Sequence, residues 1–262
     1  MEIGVSAPLV YNYTKEINAS NNVFYKHCHD YYEIIYIIDG NAKVNIDGKI
    51  YTVNSNTAVF ICPFQYHFFE LSSTVYDRIV IRFSDSLLPK PIERDFAQKT
   101  KSIAVTKNQE VLNILHNVFY AIKKIPSEYG EDLINCYIKE LLYFFYLHSE
   151  ELSGIDEYAN ENEKTIAKII EYIDEHISEK ITLSDISENM FMSVSGLCHT
   201  FKAAMQTSIL QYINQHKIAY ANKLILSGKK LSEVYYLCGF ESYSGFLKAY
   251  KKYNRSHDET VF

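Results

Sequence analysis

Between Tyr11 and Phe83, apolar and β-branched residues come in short runs separated by turn signals. Tyr32–Ile38 is rich in Ile and Tyr and ends at Asp39-Gly40, and Ala42–Ile46 alternates and ends at Asp47-Gly48. That second dipeptide suits a two-residue hairpin, because both of its positions tolerate positive φ. Ile50–Val53, Ala58–Ile61, His67–Glu70 and Arg78–Phe83 follow at short intervals. Many short strands at this spacing predict a sandwich or small barrel. Beyond Pro89 and Pro91 the period lengthens. Val111, Leu112, Leu115, Val118, Phe119 and Ile122 form one stripe within Asn108–Lys124. Glu131–Ser149 carries a broader one, from Leu133 and Ile134 through Ile138, Leu141 and Leu142 to Phe145 and Tyr146. Both read as amphipathic helices. The second stripe is wide enough to cover the barrel and also meet a second chain, which makes a dimer contact a reasonable expectation. Glu150–Glu163 is polar and acidic and reads as a linker.

From Lys164 onward the pattern is helical and contains a repeat. Leu183-Ser184-Asp185-Ile186 returns as Leu231-Ser232-Glu233-Val234, and the Gly196–Lys202 segment returns as Gly245–Lys251 with one extra residue in the turn. Each copy reads as a bracing helix, a turn and a second helix, and Ser208–Leu226 joins the copies. A helix-turn-helix needs these parts: one helix to brace, and one to enter the major groove. In copy one, Leu183, Ile186 and Met190 pack inward and Leu197 and Phe201 anchor the second helix. Ser193 is placed as its cap, and Ser195, Cys198, His199 and Lys202 are left facing outward. In copy two, Val234, Leu237 and Phe240 brace, Phe246 and Tyr250 anchor, and Ser242 caps. Tyr243, Ser244, Leu247, Lys248, Lys251 and Lys252 are then available to a ligand. Serine caps favour helix starts, and they leave backbone N–H groups where a phosphate fits.

The charge distribution supports a polyanion. The chain of 262 residues has net charge −6, but Ser195–Ser256 holds nine basic and two acidic residues, while residues 1–194 are strongly acidic. An acidic protein with one basic end suggests a local polyanion-binding face. The five cysteines are scattered without a C-x-x-C pair, as suits reduced thiols in a cytoplasm. The N-terminal residues lack the features of a signal peptide, and no apolar run is long enough for a membrane span, so no membrane partner is expected. Nucleotide-binding loops, a G-x-S-x-G elbow and H-E-x-x-H do not occur, which leaves no motif for an enzyme.

Residues 164–262 resemble the DNA-binding domain of AraC/XylS-type regulators. The match runs through I-T-L-S-D-I-S, S-x-S-x-L-x-x-x-F-K (Ser193 to Lys202) and K-I-A-x-A-x-x-L-I (Lys217 to Ile225). It continues through Gly239-Phe240, S-Y-S-G-F (Ser242 to Phe246) and K-x-Y-K-K (Lys248 to Lys252). The resemblance implies two recognition helices on a rigid connecting helix, set in successive major grooves about 34 Å apart. It also implies a double-stranded DNA partner, and RNA polymerase as a further partner if the protein activates. Several residues depart from the family pattern. His199 and Lys248 stand where arginine is usual, His216-Lys217 replaces an R-x-R, and Gln206 replaces a closing glycine. A lysine is a point charge where an arginine fork reads guanine bidentately, so phosphate and shape contacts are expected to dominate.

His27-Cys28-His29, then Glu33 and Gly40, gives H-x-H-x₃-E-x₆-G, with Pro63 and His67 following. This resembles the cupin motifs of sensor domains in the same family. His27, His29 and Glu33 are odd-numbered, so one strand would turn all three to one face, with His67 arriving from a second. Three readings of the four residues stand: an organic-ligand pocket, which is preferred; a divalent transition-metal site; and buried, hydrogen-bonded structural histidines. Tyr36 and Arg82 are expected outside the barrel.

The sequence therefore predicts an α+β chain of two domains. A cupin-like barrel (1–105) carries a helical hairpin (106–149) and is joined by a linker (150–163) to an all-α domain with two helix-turn-helix motifs (164–262). The expected protein is a cytoplasmic, ligand-responsive, DNA-binding regulator, a homodimer without a cofactor, whose effector is a small molecule with sugar as the class the resemblance favours. The rivals are a cupin metalloenzyme with a helical appendage, and a helical interaction module without DNA binding.

Overall fold

The structure is a computed structural model that describes residues 9–17, 26–152 and 161–258, with side chains described as far as Tyr253. Its eight strands are β1 (Leu9–Ile17), β2 (Tyr32–Asp39), β3 (Ala42–Ile46), β4 (Lys49–Val53), β5 (Thr57–Ile61), β6 (His67–Leu71), β7 (Val75–Phe83) and β8 (Val105–Thr106). They form two antiparallel sheets, ordered β1-β7-β2-β5-β8 and β4-β3-β6. The β3–β4 turn is the expected hairpin, with Asp47 at φ 51° and Gly48 at φ 86°.

Alternation along β2 gives the larger sheet two buried faces. Ile35 and Ile37 point between the sheets, where they meet Val44, Ile46, Val53, Val59, Ile61, Phe69 and Leu71. Tyr32, Ile34 and Tyr36 point the other way, into a second cluster with Phe60, Ile79, Ile81 and Phe83. That face is covered by α3 (Gln109–Lys124) and α4 (Ser127–Leu147), after the short helices α1 (Lys90–Glu93) and α2 (Phe96–Thr100). Leu115, Val118, Ile138, Leu141, Leu142 and Phe145 are fully buried in this layer, each contributing about 1.5–3 kcal/mol of burial. Asn108 caps α3 through Glu110 N and Val111 N. Tyr36 lies outside the barrel as expected.

α5 (Ser149–Leu152) ends the β-rich domain. The expected linker spans 150–163, but residues 153–160 lie outside the described residues, and the residues on either side of them are helical. The helical domain comprises α6 (Glu161–Glu175), α7 (Leu183–Asn189), α8 (Val194–Met205), α9 (Ile209–Leu226), α10 (Leu231–Leu237) and α11 (Tyr243–Asp258). Thr182 and Asp185 form a capping box on α7, and Ser208 and Gln211 form another on α9. α7–α8 and α10–α11 are the two helix-turn-helix units, with α9 between them. Ile166, Ile169, Ile173, Ile186, Leu197, Phe201 and Tyr212 make the first unit's core, and Ile218, Val234, Cys238, Phe246 and Tyr250 make the second's. Leu237, expected to brace, is 38% exposed; the next residue, Cys238, takes the buried position.

The barrel also contributes to the first helical core, because Tyr66 and Phe68 are buried in it. The tip of the β3–β4 hairpin packs there too. A Cβ on Gly48 would lie 3.0 Å from Ile166 and 3.1 Å from Met205, so this turn needs glycine for close approach as well as for its positive φ.

Candidate nucleic-acid interface and barrel site

On α8, Leu197 and Phe201 are fully buried, which turns Ser195, His199 and Lys202 to solvent at i, i+4 and i+7. Ser193 Oγ accepts from Gly196 N at 3.1 Å and starts the helix. On α11, Phe246 and Tyr250 are the buried anchors, and Ser244, Lys248, Lys251 and Lys252 are exposed on the opposite side. Ser242 Oγ accepts from Gly245 N at 3.2 Å, and Tyr243 is 40% exposed. Cys198 and Leu247 do not face freely outward. Each follows a buried anchor by one residue, about 100° around the helix, and is half-buried in its unit's core.

The basic stretch is smaller as a face than as a sequence. Lys217 is only 4% exposed, and its Nζ donates to Glu179 O at 2.6 Å and Gly239 O at 2.8 Å, tying α9 to both units. Its ammonium is pulled below the usual lysine range by burial. Lys223 reaches Asp85 at 3.2 Å. Lys202, Lys229, Lys230, Lys248, Lys251 and Lys252 remain exposed.

In the barrel, His27, His29 and His67 bring a ring nitrogen each to within 4.8 Å of one another. They do not reach this point on one strand. β2 begins only at Tyr32, after a bend at Asp30-Tyr31. His27 instead pairs with His67 through two backbone hydrogen bonds, and His29 O accepts from Phe64 N at 2.7 Å. Glu33, at the mouth of β2, lies 3.6 Å from His29 Nε2 and 3.4 Å from His67 Nε2. Nδ1 of His29 is 2.9 Å from Tyr31 O, and Nδ1 of His67 is 2.9 Å from Gln65 O. In the neutral ring those contacts put the proton on Nδ1 and aim the Nε2 lone pair at the cluster, which is ligand geometry for a divalent metal. The ring nitrogens of His27, His29 and His67 are the atoms that could hold one, with the Glu33 carboxylate beside them.

Arg82, expected outside the barrel, is part of this site. It is the cross-strand partner of Glu33, and its Nε donates to Glu33 Oε1 at 2.7 Å. Ile79, Ile81 and Phe83 fill the helix-covered face, so the even positions of β7 point inward. That alternation was the available signal. Burial alone would raise the Glu33 carboxyl, but the Arg82 guanidinium beside it outweighs burial and, with the His29 and His67 rings close by, holds Glu33 well below the usual carboxylate range. The Tyr31 ring stacks on His29 at 3.8 Å. A separate cavity of 550 Å³ lies between the β3–β4 hairpin, α2 and α6, and none of the four predicted residues lines it.

Two antiparallel sheets sealed by helices, followed by paired helix-turn-helix units on a connecting helix, define a transcription regulator with a ligand-binding domain. Residues 10–134 match the family described as AraC-like ligand binding domain, and residues 186–256 match the family described as Helix-turn-helix domain. The chain belongs to the AraC family of DNA-binding transcription regulators. It is 19% identical to the HTH-type transcriptional activator RhaS of Klebsiella pneumoniae, over 88% of this chain and 84% of that one. The RhaS of Escherichia coli is 20% identical, over 87% and 84%. Among solved structures, ToxT from Vibrio cholerae aligns over 95% of this chain and 98% of its own, at 17% identity and a TM-score of 0.41. The C-terminal domain of the response regulator yesN from Fusobacterium nucleatum covers 34% of this chain and 95% of its own, at 28% identity and a TM-score of 0.33. No helix among the described residues is long and apolar enough to cross a membrane.

Proposed function

We propose that the chain regulates transcription by setting α8 and α11 into successive major grooves, with a small molecule held at the barrel's histidine site as its effector. The observation that carries the first half is the pair of matched faces: Ser195, His199 and Lys202 on one helix, and Ser244, Lys248 and Lys251 on the other. Ser193, Ser242, Tyr243 and Lys252 add phosphate contacts at the rims, and half-buried Cys198 and Leu247 add apolar ones. Mapping the chain's bound sites across its genome tests this reading and names the controlled genes; an absence of enriched sites would count against it.

His27, His29, Glu33 and His67, joined by Arg82, line the effector site. A buried carboxylate, a guanidinium and imidazoles suit a hydroxyl-rich ligand such as a sugar, since each hydroxyl both donates and accepts. The three-imidazole cluster favours one second reading, a divalent metal in the same place. Metal analysis of the purified chain separates the two: one tightly held metal per chain selects the second.

Along α4, Tyr129 (63% exposed), Leu133, Tyr143 and Leu147 (70% exposed) leave an apolar stripe in solvent. That stripe supports a homodimer through the helical pair, tested by sedimentation, and a dimer would place four recognition helices on one operator. RNA polymerase is the further partner if the protein activates.

A further inference from the structure

The segment Lys26–His29 has two faces. Its odd residues, His27 and His29, enter the barrel cluster. Its even residues face the helical domain. Lys26 Nζ donates to Gln206 Oε1 at 2.8 Å, and Lys26 O accepts from Gln215 Nε2 at 3.2 Å. The Cys28 side chain, 3% exposed, lies close to His216 on α9. Four consecutive residues therefore touch the sensor site on one side and the DNA-binding domain on the other, with no intervening element.

Gln206 is the residue that completes the contact. It ends α8 in the left-handed region, at φ 51°, where glycine would sit without strain. The side chain that glycine lacks is fully used: Oε1 takes Lys26, and Nε2 donates to Glu70 Oε1 at 3.1 Å. Two residues earlier, Ala204 O accepts from Asn45 Nδ2 at 3.2 Å, which fixes the same helix end to the β3–β4 hairpin. A strained residue held by side-chain contacts to another domain points to a role in that contact.

We propose that Gln206, Lys26 and the Cys28–His216 pair are positioning residues that transmit the state of the barrel cluster to the recognition helix α8. The inference rests on the regulatory reading above and names the route by which that regulation travels. A ligand that draws His27 and His29 inward displaces Lys26 and Cys28 from Gln206 and His216. The helix whose end Gln206 caps then changes its position relative to the barrel. Coupling of this kind requires only that the ligand prefer one of the two arrangements.

The test uses the full chain, without added ligand, and genomic DNA fragments that the parent chain binds. His67→Gln perturbs the cluster from the far side. The expected result is at least a fivefold change in Kd when His67→Gln is made in the parent, and less than a twofold change when it is made in a Lys26→Met/Gln206→Gly background. Glycine relieves the left-handed strain at 206, so the melting temperature of Gln206→Gly alone should not fall. A shifted affinity then reports position and not lost fold. If His67→Gln loses its circular-dichroism signature, His29→Gln replaces it. Equal responses in the two backgrounds, or no response in the parent, would overturn the route while leaving the regulatory reading intact. A parent chain that binds no fragment would overturn both.

Discussion

Glu33 and Arg82 form an ion pair in the barrel, 2.7 Å apart with Glu33 only 3% exposed. Removing one partner of a buried pair leaves an uncompensated charge, at a cost of about 3–5 kcal/mol. Glu33→Gln should destabilise the β-rich domain by about 3 kcal/mol, measured by urea unfolding. Its pH dependence has a definite sign. The folded carboxyl ionises below its unfolded value of 4.5, so its contribution is complete above that pH and is lost as the pH falls beneath it. The acid limb of the parent's stability profile should therefore flatten in Glu33→Gln. His216 has the opposite sign. Burial opposes its charge, but Cys28 and Asp174 raise it from 6.5 to about 10, with Asp174 at 3.4 Å. Asp47 of the hairpin also faces it, and Lys101 stands 3.9 Å behind Asp174. Its contribution is complete below pH 6.5 and is lost as the pH rises toward 10. The difference in melting temperature between the parent and His216→Gln should shrink across that window. The histidines and Glu33 could be read from the sequence because their spacing is a motif. Arg82 was misplaced because the face of β7 depends on the helices that cover Ile79, Ile81 and Phe83, and those helices lie far along the chain.

The helix-turn-helix units were legible as elements, since buried anchors recur at matched positions in both copies. Their turns were not, because a turn's conformation depends on what it packs against. Phe191 occupies the first turn at φ 53° and is 97% exposed, while Gly239 holds the equivalent place in the second at φ 64°. A Cβ at 239 would lie 2.1 Å from Glu179 O and 2.8 Å from Lys217 Nζ, so this turn must be glycine, whereas the first has room for a side chain. A left-handed residue other than glycine costs about 1–2 kcal/mol. Phe191→Gly should therefore raise thermal stability by about 1 kcal/mol. Gly239→Ala should lower it by more than that, because the backbone must move away from Glu179. Differential scanning calorimetry measures both. Lys217 shows the same limit on sequence reading. Counted as part of a basic face, it is in fact a buried strut between the units, and only its carbonyl partners on distant loops reveal this.

At the scale of the whole molecule, the chain is two domains that share residues. Tyr66 and Phe68 of the barrel complete the core of the first helix-turn-helix unit, and Gln206 and His216 of the helical domain rest on the Lys26–His29 segment. The two domains were visible in the change of hydrophobic period near Pro89 and in the helical repeat. The contact between them was not, because single departures from a family pattern, such as Gln206 for glycine and His216 for arginine, look like lost function until their partners are seen. The exposed lysines of α8 and α11 nevertheless remain free of the barrel and available to a phosphate backbone. The most direct test of this account is the salt dependence of the chain's affinity for genomic fragments, in the parent and in Lys202→Ala and Lys248→Ala. Each phosphate contact adds about 0.9 to the slope of log K against log salt. The account predicts a steep slope in the parent that falls by about one in each variant, with affinity reduced on every fragment alike. A parent slope near zero, or variants with unchanged slope and affinity, would contradict it.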